Sequence, residues 1–290
     1  MGNKLSRRQF LRLVWFGFVD LILLAIGGIV YSAFLEPGWY RVETVHLTLR
    51  RLPKSFSGIR IAQISDIHMG GWMDKERLQR VVDLLLEQKP ELILITGDFL
   101  TGHGLESSHK QAVDDLREVL SPLANIVPTL AVLGNHDYWT DAQVVREMLA
   151  SCGVTDLTNS VFTLTRDEAN LHLCGVDDVW AGDVKLDEVI ARLDDDSPAI
   201  LLAHEPDFAE TSSATGKFDL QVSGHSHGGQ VVLPLVGPPI LPYLGNKYPS
   251  GLYQVGNMVQ YTNRGVGMLN PAIRFNCPPE ITVFVLESPL

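Results

Sequence analysis

Apolar positions along this chain fall into one long run near the amino terminus and, from residue 59 onward, into short runs separated by polar stretches. The short runs have strand length and cover 59–64, 92–96, 129–133, 171–176, 199–203, 220–223, 259–263 and 281–286. Between them, 75–87, 110–120, 142–150 and 185–193 have helical composition, with Asp74 and Asp141 placed to cap two of these helices. Strands alternating with helices predict an α/β layered fold. Proline and glycine are spread along the chain rather than pooled, and no repeat interrupts it, so one large domain is expected after the leading segment.

The long run covers 13–35 and is enough to cross a bilayer, which takes about 20 residues. Its one charge is Asp20, and Lys4, Arg7, Arg8 and Arg12 precede it. A basic flank before an apolar span predicts the amino end in the cytoplasm and the body outside. The stretch Ser6-Arg7-Arg8-Gln9-Phe10-Leu11 also resembles the twin-arginine export signal of bacteria, which implies export of a folded domain. No A-x-A cleavage site follows, so an uncleaved anchor is preferred over a removed signal or an in-plane helix.

Charge narrows the choice of partners. Once the seven Lys/Arg and three Asp/Glu before residue 52 are set aside, 16 basic face 31 acidic residues, a net charge of about −15. Such a body repels nucleic acid and attracts divalent cations. The three cysteines, Cys152, Cys174 and Cys277, form no CxxC and are read as small buried residues, not as a disulfide framework or a thiolate metal site.

Polar residues cluster where the predicted strands end. Asp66 and His68 follow the first, Asp98 the second, Asn135 and His136 the third, His204 a later one, and His225 and His227 the next. In open α/β sheets the ligand crevice lies outside the carboxyl ends of the strands, so these residues are expected on one rim. Asp66 and His68 are two apart, and in extended backbone they would point to one side and grip one cation. Carboxylate and imidazole without thiolate suit Mn, Fe, Zn or Ni. Gly97, Gly134 and Gly224 are read as permissive positions in tight strand-to-loop turns.

Taken in order, Asp66-Ile67-His68, Gly97-Asp98, Gly134-Asn135-His136-Asp137, His204 and Gly224-His225-Ser226-His227 resemble the calcineurin-like metallophosphoesterase superfamily. Within it, Arg274 and the run Asn276-Cys277-Pro278-Pro279-Glu280 look like the bacterial membrane-associated phosphodiesterases. The resemblance implies a layered β-sandwich of two mixed sheets flanked by helices. It divides the chain into a signal or anchor over 1–36, a connecting segment over 37–57 and a catalytic domain over 58–290. It further implies two divalent ions, one held by Asp66, His68, Asp98 and His227, the other by Asp98, Asn135, His204 and His225. Asp98 would bridge them, and a hydroxide between the ions would attack phosphorus. His136 would face the substrate phosphate, with Asp137 orienting its ring.

Several readings stay open at this stage. Arg264 either reaches a substrate phosphate through its planar fork or is an ordinary loop arginine. His46, His103, His109 and His172 are read as surface or satisfied histidines, and Gly228-Gly229-Gln230 as a tight turn. The expected function is metal-dependent hydrolysis of a phosphoester, diester preferred, lipid-linked in one version, on the extracytoplasmic side of a bacterial cytoplasmic membrane. The alternatives are a pyrophosphatase acting on UDP-2,3-diacylglucosamine, opposed by an outward-facing body, a non-catalytic metal-binding scaffold, and a nuclease, opposed by the acidic charge.

Overall fold

The computed structural model describes residues 6–102 and 106–289. Among them, twelve strands form two six-stranded sheets. The first sheet holds β1 (Arg41–Thr48), β2 (Arg60–Ile64), β3 (Leu92–Thr96), β4 (Thr129–Val132), β5 (Thr155–Asp156) and β12 (Glu280–Glu287), in the order β1-β12-β2-β3-β4-β5. The second holds β6 (Ser160–Arg166), β7 (Ala169–Gly175), β8 (Ala199–Leu202), β9 (Leu220–Ser223), β10 (Gly251–Val255) and β11 (Met258–Thr262), in the order β10-β11-β9-β8-β7-β6. Both sheets are mixed. Strands β2 to β5 run parallel, as do β7, β8, β9 and β11, while β12 pairs antiparallel with β2, and β6 and β10 pair antiparallel with β7 and β11.

Buried strands explain why the runs are apolar at every position, since both faces of each sheet are covered. On β3, Leu92 and Leu94 face the second sheet, where Leu173, Ile200, Leu202 and Val222 meet them. Ile93 and Ile95 face the other way, toward α2 (Lys75–Glu87), α3 (Glu106–Ile126) and α5 (Ala142–Cys152), which bury Leu78, Val82, Leu116, Leu123 and Leu149 against them. The outer face of the second sheet is closed by the short helices α6 (Leu186–Ile190) and α7 (Ala209–Ala214), through Val189, Ala209 and neighbours such as Phe218. Asp74 caps α2 by accepting from Arg77 N, and Asp141 caps α5 by accepting from Gln143 N and Val144 N. Helix α3 continues beyond residue 120 through Pro122, because Leu123 and Val127 bury against the core and packing outweighs the lost backbone bond.

The segment read as a connection over 37–57 is part of the body. Its strand β1 pairs with β12 from Arg41 to Thr48 at the sheet edge. As an edge strand β1 is covered only in part, Val42 on one face and Val45 and Leu47 on the other, so the exposed Thr44, His46 and Thr48 interrupt any continuous apolar signal.

Helix α1 (Arg7–Val30) continues through a wide turn at Tyr31–Leu35 and a tight one at Glu36–Gly38. None of its own residues is buried, yet its base is locked to the body. Arg274 N donates to Ser32 O at 2.9 Å, the Tyr31 and Phe275 rings meet edge-on at 6.3 Å, and the buried Glu36 carboxylate accepts from Asn276 N and Cys277 N. Arg274 is itself fully buried; burial lowers its pKa, and its guanidinium donates to the carbonyls of Cys277, Arg264, Gly265 and Gly267. Replacing it strands four buried acceptors, each costing about 1–3 kcal/mol. Arg274→Met should therefore lower unfolding free energy by at least about 3 kcal/mol in a denaturant titration, and Arg274→Lys should not restore it, because an ammonium cannot span a planar fan of carbonyls. Equal stability of Arg274→Met and the parent would contradict this.

Candidate metal centre

The carboxyl ends of β2, β3, β4, β8 and β9 meet where the two sheets converge, and there the sequence-predicted residues gather. Asp66, His68, Asp98, Asn135, His136, Asp137, His204, His225 and His227 are all buried. Two groups have donor atoms close enough to hold one cation each: Asp66, His68 and His227, and Asp98, His204 and His225. Asp98 stands between them, its Oδ2 3.5 Å from His68 Nε2 and 3.2 Å from His204 Nε2. One carboxylate oxygen thus faces a ligand atom of each group.

Ring tautomers are fixed from behind. His68 Nδ1–H donates to Leu100 O at 3.1 Å, His204 Nδ1–H to Thr96 O at 2.6 Å, and His225 Nε2–H to Tyr243 O at 2.7 Å. In each neutral ring the other nitrogen then presents a lone pair inward, the arrangement that orients a metal-binding imidazole. The inward atoms lack protein partners suited to them. His68 Nε2 and His227 Nε2 are 3.0 Å apart, His227 Nε2 is 3.4 Å from Asp66 Oδ1, and Asn135 Oδ1 and His204 Nε2 are buried without a hydrogen bond. Lone pairs and carboxylates opposed at these distances repel unless protons or cations lie between them. The donor set therefore fits divalent ions of the N/O-preferring kind.

The loops that carry these residues are strained. Asp66, His68, Asp98, His225 and His227 all have positive φ, between 50° and 68°, where each non-glycine residue costs roughly 1–3 kcal/mol. Asp66 and His68 therefore do not share a side through extended backbone; β2 ends at Ile64, and two left-handed residues aim their side chains together. Cross-links between loops hold the shape: Asp66 N donates to Gly97 O, His68 N to Asp98 O, and Gly267 N to Asp66 O. Gly134 and Gly224 serve close approach, not a special turn. A Cβ on Gly134 would lie 2.3 Å from Asp98 Oδ1, and one on Gly224 would lie 1.8 Å from Ser65 Oγ.

Asp137 does not orient the His136 ring. Its carboxylate accepts from Asp98 N, Phe99 N, Leu100 N and Gly134 N at 2.8–3.1 Å, so it clamps the loop that presents Asp98. The ring of His136 is held by its Nδ1–H donating to Thr101 O at 2.6 Å, and His136 N donates to Asp98 Oδ1 at 2.9 Å. Position explains the change of role: Asp137 is the third residue of the short helix α4 (Asn135–Thr140) and points back at its amino end.

Arg264 is not brought into the cluster. Its guanidinium lies 2.6 Å from Glu280 Oε2 and 3.1 Å from Glu43 Oε1, and the carboxylates neutralise it. Glu43 sits on β1, the strand the sequence pattern did not show, so this partner was invisible. His172 is buried between Thr163 and Asp194, His46 is exposed beside Glu287, and His103 lies outside the described residues. All three cysteines are buried and unpaired. Aromatic residues on the rim escaped the sequence reading: Trp139 lies 4.8 Å from His136 and 5.0 Å from Trp180, which in turn contacts Tyr243 at 5.5 Å. A cleft of about 240 Å³ beside His136 is floored by Gly70, Gly71 and Trp72.

Residues 59–229 match the family model for calcineurin-like phosphoesterase. The chain belongs to that family, and it is a hydrolase of phosphoester bonds. It is 36% identical over 290 residues to an uncharacterized metallophosphoesterase, YkuE, of Bacillus subtilis, covering 99% of both chains. It is 33% identical to the phosphodiesterase YaeI of Escherichia coli, over 97% of this chain and 99% of that one. A transmembrane protein with a metallophosphoesterase domain from Danio rerio is 32% identical over 92% of this chain and 61% of its own length.

Burial and neighbouring charges shift the protonation of several groups in the metal-free centre, Asp137 among them, pushed up to about 8 by burial and by the charge of Asp98. Burial lowers His68 to about 4 and His225 to about 3, so both rings are neutral at physiological pH. Burial alone would also lower His204, but the Asp98 carboxylate beside it wins and raises it well above its usual value. Burial pushes Asp66 up to about 7, with the charge of Asp98 adding to it. The folded metal-free form thus holds protons on His204 and Asp66 that cations must expel. For Asp66 the folded pKa exceeds the unfolded one, so its contribution is most favourable below the ordinary carboxylate range and is lost as pH rises through about 7. Two outcomes are expected: affinity for a divalent ion falls up to about tenfold per proton for each pH unit of acidification, and the thermal stabilisation on metal addition is larger at alkaline than at acidic pH. A metal titration that is flat between about pH 6 and 8 would contradict both.

Proposed function

We propose that this chain is a membrane-anchored, two-metal phosphodiesterase acting on the extracytoplasmic face. One observation carries the metal reading: two buried donor groups with Asp98 between them, in which imidazole nitrogens and carboxylate oxygens oppose one another at 3.0–3.5 Å and Asn135 Oδ1 and His204 Nε2 have no hydrogen bond. On this reading Asp66, His68 and His227 hold one ion, Asn135, His204 and His225 hold the other, and Asp98 serves both. Divalent ions held there supply Lewis acidity toward phosphoryl oxygens and lower the pKa of bound water. Manganese, iron, zinc and nickel all suit the donor set.

The chain's own residues then do three things. Asp137 clamps the Asp98 loop through four amides, and the backbone carbonyls behind the histidines hold their tautomers. His136, with Nδ1–H committed to Thr101 O, exchanges protons at Nε2 beside the cleft, where it can donate to a phosphoryl or leaving oxygen. Diester is preferred over monoester on this reading, since Arg264, the arginine considered for a phosphate charge, is already paired with Glu280 and Glu43. The relative YaeI, a phosphodiesterase, agrees with this choice.

Membrane anchoring rests on α1. Its 24 residues give about 36 Å of helix, longer than the ~30 Å hydrocarbon core, and none of them is buried against the body. Arg7, Arg8 and Arg12 at its start set the orientation, with the body outside. A cytoplasmic pyrophosphatase acting on a nucleotide lipid would need the opposite orientation, so labelling of an introduced body cysteine by an impermeant maleimide in intact cells separates the two.

Metal-reconstituted protein should hydrolyse bis-p-nitrophenyl phosphate. His136→Ala should reduce kcat by about 10²–10⁴ while metal content, read by elemental analysis, stays unchanged. Full activity in His136→Ala would remove it from proton transfer, and inactivity of the metal-loaded parent would favour a binding scaffold.

A further inference from the structure

Residues 231–246 leave the body immediately after the His225–His227 loop and contain no charged side chain. Leu235 is fully exposed, Val236 is 75% exposed and Ile240 78% exposed, a concentration of bare apolar surface on one loop. The loop is rooted at the base of α1. Val232 N donates to Phe275 O at 2.8 Å, and Phe275 is the residue whose ring meets Tyr31 of that base.

Beneath the loop runs a groove of about 430 Å³. Pro239, Ile240, Leu241, Leu269 and Ile273 line it together with His225 and His227 of the centre. The covering segment can lie this close because of Gly229, whose Cβ would fall 2.4 Å from Pro238 Cβ. An apolar trough therefore connects an uncovered apolar loop to the metal centre, next to a helix that itself requires hydrocarbon.

We propose that this groove receives an acyl chain of a bilayer lipid whose phosphoester lies at the metal centre, with the 231–246 loop seated in the membrane interface beside α1. The inference rests on the hydrolase reading above and names its substrate class. Continuity favours lipid over a protein partner: Phe275 touches the apolar helix on one side and pairs with the start of the loop on the other. Trp180 and Tyr243, exposed on the same rim, have the amphipathic character of side chains at a membrane–water boundary. The groove then selects esters with a long chain, and the diester's second substituent leaves through the polar cleft beside His136.

Two esters with the same leaving group isolate the chain: p-nitrophenyl hexadecyl phosphate and p-nitrophenyl methyl phosphate. Full-length, metal-loaded protein in nanodiscs should favour the hexadecyl ester in kcat/KM, and Ile273→Asp should cut that preference by at least about tenfold, since each buried methylene is worth about fourfold in binding. Taking the ratio of both esters within one variant cancels any loss of folded protein. A ratio that is the same in parent and Ile273→Asp overturns the proposal, whereas failure to cleave either ester overturns the hydrolase reading instead. Loop seating is read separately with Leu235→Cys carrying a polarity-sensitive fluorophore, which the buried native cysteines leave as the accessible thiol. Blue-shifted emission quenched by lipids brominated in their acyl chains is expected; emission matching that in water overturns the proposal.

Discussion

Everything about this site follows from an electrostatic conflict. Two carboxylates and a set of imidazole lone pairs are buried within 3.0–3.5 Å of one another. Backbone carbonyls behind three of the rings hold the lone pairs inward, so the conflict cannot be escaped by turning a ring. Protons on His204 and Asp66 compensate in part. On the proposed reading, divalent ions would complete the compensation, with Asp98, placed between the two groups, serving both.

Holding that conflict in place takes much of the surrounding structure. Five residues of the centre sit in left-handed backbone, and each is stabilised by hydrogen bonds between neighbouring loops rather than by its own conformation. Asp137 and Arg274 act from opposite sides. The first gathers four amides behind Asp98, and the second gathers four carbonyls behind the loop whose Gly265 packs against Asp66. The Arg274 network also reaches the base of α1 through Cys277 and Glu36, so hydrogen bonds run from that base to the His227 loop.

Much of this was legible in the amino-acid sequence, for a physical reason. Strands buried on both faces read as unbroken apolar runs, and β3 and β9 begin and end where those runs do. Polar residues at the ends of such runs must gather at one rim, so Asp66, His68, Asp98, Asn135, His204, His225 and His227 were found before their contacts were known. What stayed hidden has physical causes as well. The edge strand β1 is only partly covered and has no continuous pattern, which concealed Glu43 and with it the partner that neutralises Arg264. The left-handed residues and the true role of Asp137 depend on loop geometry that spacing does not encode. Residues 231–246 fall outside the strands and helices expected from the sequence, and only their placement beside His225 and the base of α1 gives them meaning.

The claim on which the account turns is that one aspartate serves both donor groups. Elemental analysis of metal-reconstituted parent and Asp98→Asn protein tests it most directly. The account predicts two divalent ions per chain in the parent, one for each group, and loss of affinity at both positions together in the variant. A parent that binds a single ion, or a variant that keeps one position at full affinity while losing the other, would contradict it.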